Sequence, residues 1–264
     1  MSSAVERNLL LAGVAFFALT IVIFLVLQKR GSDTWWPTAG ALSVVTLLLF
    51  AALAGRWIRE SQGPFLTLYD VLVSNLFSLT LVFVVAAILV PALRATAGLV
   101  TAFLAVLGAW ALSLDAAAVS LPATFDNPWL WLHVLAGKLF LGLCLPAAAT
   151  AVLLLAASGN AVTDERDSAV WFTLSLAFVC HSFMLIAGAI WAHSAWGRYW
   201  AWDSLETWTF VTWLSIALLL HARVTFRRMP PAVGWSALVA IFALAILTFL
   251  GVPFISIAPH KGVM

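Results

Sequence analysis

The chain has 264 residues, 64% of them hydrophobic and only 9% charged, and its mean hydropathy of +1.08 excludes an ordinary water-soluble domain. A net charge of +2, scattered along the chain, offers no basic patch for a nucleic acid. Cys144 and Cys180 lie inside apolar runs and form neither CxxC nor CxxCH, so we expect them to be packing residues, with no thiol redox chemistry and no haem bonded covalently to this chain.

A hydrocarbon core of roughly 30 Å takes about 20 apolar residues per helix. Charges, prolines and glycines cut the chain into eight expected helices, near 8–28, 36–56, 66–92, 95–114, 131–157, 168–191, 205–224 and 233–251. The first run, Leu9 to Gln28, is long and has no small-residue cleavage site before Lys29 and Arg30, so it reads as a true span rather than a signal peptide. The third opens on Tyr69 and Asp70, whose turn we expect outside the hydrocarbon. The expected fold is an all-α, polytopic transmembrane bundle of eight spans. It forms one integral membrane domain over residues 1–264, with both termini on one side and no room for a soluble domain.

Alternate loops then face alternate sides. One set carries Lys29, Arg30, Arg94, Arg166, Arg223, Arg227 and Arg228, and the other carries Arg7, Arg56, Arg59, Arg198 and Lys261. The richer set is expected to be cytoplasmic, which puts both termini and the loop after the sixth span outside. His133, His193 and His260 fall on that outer face. His221 lies about 18 residues below Asp203, roughly 27 Å along a helix, and cannot join them. His181 falls mid-span and is taken as a packing residue rather than an extra haem or proton site.

The outer loop is the chemical anomaly. Residues 191–213 read WAHSAWGRYWAWDSLETWTFVTW and hold six of the 14 tryptophans. Aromatic belts at the headgroup level explain tryptophans such as Trp129 and Trp131. They do not require Trp196, Trp200 and Trp202 interleaved with Gly197, Arg198, Tyr199 and Asp203 in one connection, whereas a platform for a large flat apolar ligand does. Histidines from distant segments could fill both axial positions of a haem iron beside that platform, and His133 and His260 are the natural pair. Arg198 could meet a haem propionate, Asp203 or a lipid phosphate. Asp203 and Glu206 read most economically as caps of the seventh helix.

This segment, with LLLHAR at 218–223, closely resembles the tryptophan-rich WWD segment of the CcsA/ResC-type haem-handling proteins of system II cytochrome c biogenesis. There the loop reads approximately WAxxAWGxYWxWDPKExWxxxxW, followed by LHxR. Trp191, Trp196, Gly197, Tyr199, Trp200, Trp202, Asp203, Glu206, Trp208 and Trp213 all match. GPFLTLYDVL at 63–72 is similar to the family's PLxxLYExL, and LHV at 132–134 opens the span bearing the first external histidine.

The resemblance implies haem b held as a substrate at the outer face of the cytoplasmic or an equivalent energy-transducing membrane. His133 and His260 would be its axial ligands, and His221 would belong to an inner haem site or access path completed by a CcsB/ResB-type partner. It further implies a cytochrome c synthase subunit that attaches haem to the CxxCH motif of apocytochromes without a nucleophile of its own. Two departures stand out. The family's Pro-Lys is Ser204-Leu205 here, and His260 sits in APHKGVM rather than a Gly-Leu-His context. A haem transporter or chaperone without ligase activity, and an accessory subunit of a respiratory assembly, are therefore the competing readings.

Overall fold

The computed structural model describes residues 2–63, 67–117, 119–157, 164–226 and 229–255. Its elements are helices: α1 (Ser3–Lys29), α2 (Trp35–Glu60), α3 (Leu68–Leu89), α4 (Ala97–Leu112) entered by a 3-10 turn at Pro91–Thr96, α5 (Pro128–Ala156), α6 (Asp164–Trp196), α7 (Ser204–Thr225), α8 (Pro231–Leu250) and the short α9 (Val252–Ile255). Among the described residues eight segments are long and apolar enough to cross a membrane, the number expected, which makes this an integral membrane protein.

The chain divides into two compact units, one up to Ser120 and one from Leu121 on. In the first, α3 packs between α2 and α4, and α1 lies across α2 and α4. Close approach of α1 to α4 depends on two glycines. A Cβ at Gly98 would fall 2.6 Å from the Phe24 ring, and one at Gly108 2.7 Å from Val14 Cγ2.

One end of this unit is held by buried charges. The Asp70 carboxylate meets Arg56 Nε at 2.5 Å, and Glu6 pairs with Arg56 at 3.5 Å and Arg59 at 2.5 Å. Tyr69 Oη donates to Glu6 at 3.0 Å, and the Arg56 guanidinium lies over the Tyr69 ring. Thr67 and Asp70 form a capping box that starts α3. Arg56 also donates to the carbonyls of Ala116 and Ala117, and Gln62 to that of Val119. The TLYD part of the 63–72 motif is thus a structural device in which every buried charge has a partner. Residues 64–66 of that motif lie outside the described residues.

In the second unit, α5 and α6 form the most extensive helix pair. α8 packs on α5, α7 on α8 and α6, and α9 returns against α7 and α8. The α5–α6 register is antiparallel: the His133 ring lies over Gly188, Met184 Sδ over Gly137, and the Phe140 ring stacks on His181 at 4.2 Å. His181 is fully buried between Phe140 and Phe249, and neither ring nitrogen has a hydrogen-bond partner among the described residues.

α7 is fastened at both ends and in the middle. Asp203 caps its start, Trp213 Nε1 donates to Ser182 Oγ at 2.8 Å, and Thr212 meets Thr248 at 3.1 Å. At its C-terminal end Asp167 accepts from Trp171 Nε1, Trp235 Nε1 and Arg223 Nη2 at 3.0, 2.8 and 2.9 Å.

The two largest boundary differences from expectation have physical reasons. α1 begins at Ser3 rather than near 8, because Ser2 caps it and the network around Arg56 buries Glu6 in its first turn. α6 runs to Trp196 rather than ending near 191, since nothing in Ala192–Ala195 opposes a helix and the chain turns only at Gly197, at φ +73°.

Candidate functional site

Where α6 ends, the second unit opens into a cleft lined by residues of α5, α6, the 197–203 connection, α7 and α8. Its non-atom space, open solvent at the mouth included, is about 510 Å³. Gly188, Ala189 and Ala192 give one wall a low relief. Trp191, Tyr199, Trp200 and Phe249 supply aromatic faces, and His133 and Glu206, with the Tyr199 phenol, are the ionisable groups.

His133 has a defined orientation. Its Nδ1 lies 2.8 Å from the carbonyl oxygen of Met184. A carbonyl only accepts, so Nδ1 carries a proton, and in the neutral ring Nε2 carries the lone pair. The ring also stacks on Trp191 at 6.3 Å and 26°. Trp191 is itself immobilised: it is 4% exposed, donates from Nε1 to the Thr124 carbonyl at 3.0 Å, and meets Phe125 and Trp196 edge-on.

The connection is shaped by two carboxylates. Asp203 Oδ1 accepts from Glu206 N at 2.8 Å, the expected cap, while Glu206 Oε2 reaches back to Ala201 N at 2.6 Å. Trp202 sits at φ +57°, a left-handed conformation that costs a bulky residue about 1 kcal/mol or more. Glu206 therefore does more than favour the helix N-terminus: it holds the connection in this shape. Trp200 lines the cleft, while its Nε1 is buried and has no hydrogen-bond partner among the described residues.

The tryptophans of 191–213 thus separate into distinct roles. Trp191 and Trp200, with Tyr199, line the cleft, and Tyr199 also stacks on His193 at 4.3 Å. Trp196 packs behind Trp191, and Trp213 ties α7 to α6. Trp202 and Trp208 are exposed, at 67% and 41%. Arg198 is exposed. Leu205, one of the two departures, lines the cleft where the family pattern has lysine.

His221 is exposed on α7, its Nε2 3.3 Å from Thr225 Oγ1. It lies 15 residues beyond Glu206, roughly 22 Å along the helix, so it stands apart from the cleft as topology requires. The Asp167 cluster fixes the turn that carries it. His260 lies outside the described residues.

Sequence reasoning missed Met184, Gly188, Thr209 and Phe249, which line the cleft without any motif to mark them. It also left Lys138 out of the charge tally, although a lysine in the third turn of an apolar span is a direct signal of a functional position.

Residues 64–260 match the family model described as cytochrome C assembly protein. The chain belongs to this family. Curated relatives named cytochrome c biogenesis protein CcsA include one from Prochlorococcus marinus, 37% identical over 105 residues that cover 38% of this chain and 31% of the relative. One from Adiantum capillus-veneris is 41% identical over 89 residues, 34% of this chain and 28% of the relative. A third, from Gloeobacter violaceus, is 35% identical over 137 residues, 48% and 39%. The matched part spans well under half the length of each relative. The eight-span, all-helical architecture agrees with the CcsA-type resemblance read from the tryptophan motif.

Proposed function

We propose that this protein handles haem in cytochrome c maturation, receiving haem b in the α5–α8 cleft at the outer face of its membrane. The observation that carries the reading is His133: its Nδ1–H is committed to the Met184 carbonyl, so its Nε2 presents a lone pair for iron beside aromatic walls. The cleft fits the rest of such a ligand. Gly188, Ala189 and Ala192 form a wall of low relief for a flat ring, and Trp191, Tyr199, Trp200 and Phe249 supply aromatic faces for it.

In this reading His260 supplies the second axial imidazole and yields it to the histidine of the incoming CxxCH segment. A CcsB/ResB-type partner completes the inner site at His221. When haem is bound and the apocytochrome docks, each cysteine S–H adds across a vinyl C=C. The sulfur bonds to one carbon, the proton goes to the other, and no net oxidation occurs. The chain's own part is to bind, orient and exclude water, and no enzyme nucleophile is needed.

Co-expression with the partner and a CxxCH reporter, in cells lacking their own maturation system, tests this. Covalent haem on the reporter that disappears with His133→Ala supports the synthase reading. Absence of bound haem from the purified protein, even with haem supplied, rejects it. Leu205 favours one second reading, a haem carrier without ligase activity, because an apolar side chain replaces a cation at the cleft wall. Free haem on the protein with an unmodified reporter would select that reading.

A further inference from the structure

We propose that Gly188 is the positioning residue for His133: the missing Cβ on α6 lets the imidazole reach the Met184 carbonyl, and that contact sets which ring nitrogen faces the cleft. The proposal rests on the haem reading for its functional meaning, but its geometric core stands apart from it.

In an α-helix the carbonyl of residue i points toward the N–H of residue i+4. The Met184 carbonyl therefore points along the helix toward Gly188. A side chain from a neighbouring helix can share that carbonyl only by lying over residue i+4, where a Cβ would normally stand. His133 does so. An ideal Cβ at Gly188 would fall 2.6 Å from His133 Nδ1, 2.8 Å from Cε1 and 3.5 Å from Cγ. The first two distances are closer than real Cβ contacts come, and the obstructing atoms belong to a rigid ring rather than the end of a flexible chain.

A single methyl group at 188 has three linked consequences. The ring must tilt away from α6. The 2.8 Å Nδ1 contact is lost, because the acceptor is backbone and cannot follow. Without that acceptor Nε2–H becomes a competitive tautomer, and that proton would block the nitrogen proposed to face iron. The stacking on Trp191 shifts as well, because His133 packs on Trp191 only three residues along α6 from Gly188. Gly137, on the same seam, makes a useful contrast: its added Cβ would lie 3.0 Å from Met184 Sδ, the movable end of a flexible side chain.

The test uses the full chain with ¹⁵N-labelled histidine, first without haem and then titrated with haem. Wild-type His133 is expected as the Nδ1–H tautomer, assigned by its absence in His133→Asn. Gly188→Ala is expected to mix or invert that tautomer and to weaken His133-dependent haem binding by about 10-fold or more, as loss of an orienting contact to a ligand histidine does. Gly137→Ala should leave the tautomer unchanged.

An Nε2–H tautomer in the wild type overturns the proposal without needing any variant to fold. So does a Gly188→Ala protein with an unaltered tautomer. If the wild type shows no His133-dependent haem signal, the haem reading fails, while the haem-free tautomer comparison still decides the role of Gly188.

Discussion

Arg56 Nε and Asp70 Oδ1 meet at 2.5 Å, with side chains only 3% and 9% exposed, and the same guanidinium pairs with Glu6 and donates to the Ala116 and Ala117 carbonyls. Removing one partner of a buried pair leaves the other charge uncompensated, at a cost of about 3–5 kcal/mol. Asp70→Ala should therefore lower the thermal midpoint of the first unit sharply, measured by scanning fluorimetry in detergent. Asp70→Glu should recover part of the loss. Equal stability of Asp70→Ala and wild type would show that the cluster does not hold this unit together.

His181 stacks on Phe140 at 4.2 Å with both ring nitrogens unpartnered among the described residues. A buried polar group without a partner costs about 1–3 kcal/mol, so His181→Phe should be neutral or stabilising and should leave haem binding intact. A loss of bound haem in His181→Phe, with the fold preserved, would instead assign this imidazole a working role.

Glu206 Oε2 accepts from Ala201 N at 2.6 Å and so shapes the connection that carries Tyr199 and Trp200. Hydrogen bonds to a charged group are worth about 1.5–3 kcal/mol. Glu206→Ala should expose residues 197–203 to limited proteolysis and weaken haem binding, and Glu206→Gln, which keeps an acceptor oxygen, should do less of both. Identical behaviour of the two variants would place the importance of Glu206 in its charge rather than in this bond.

Asp167 gathers Trp171, Trp235 and Arg223 at the opposite end of α6. Asp167→Ala strands two part-buried indole donors and should destabilise the second unit by about 1–3 kcal/mol, the exposed Arg223 guanidinium being rehydrated. Asp167→Asn keeps at most part of the network. Thermal unfolding of both variants, with cleft-side haem binding as a control, separates this structural effect from one on the cleft.

The helix count was legible because hydropathy sets span length directly, and the family was legible because its tryptophan spacing is dense. Trp191, Tyr199, Trp200 and His133 could be named from sequence since indoles and imidazoles are scarce enough to be conspicuous. What folding added depends on which helix meets which, and at what register. The Met184 carbonyl and the space over Gly188 are backbone features of α6 that gain meaning only when α5 brings His133 against them. Glu6 looked like an ordinary residue before the first span until Arg56 and Arg59, some fifty residues on, closed around it. Conversely, the motif put Trp208 and Trp213 on an equal footing with Trp200, although one is exposed and the other is a tie between α7 and α6.

Haem titration of the purified full chain, wild type against His133→Ala, followed by optical absorption in oxidised and reduced states, decides whether the α5–α8 cleft is a haem site held through His133. Saturable binding with a low-spin, histidine-ligated spectrum, converted by His133→Ala to a weaker or differently ligated one that added imidazole restores, is the expected result. A spectrum and affinity unchanged by His133→Ala would contradict it.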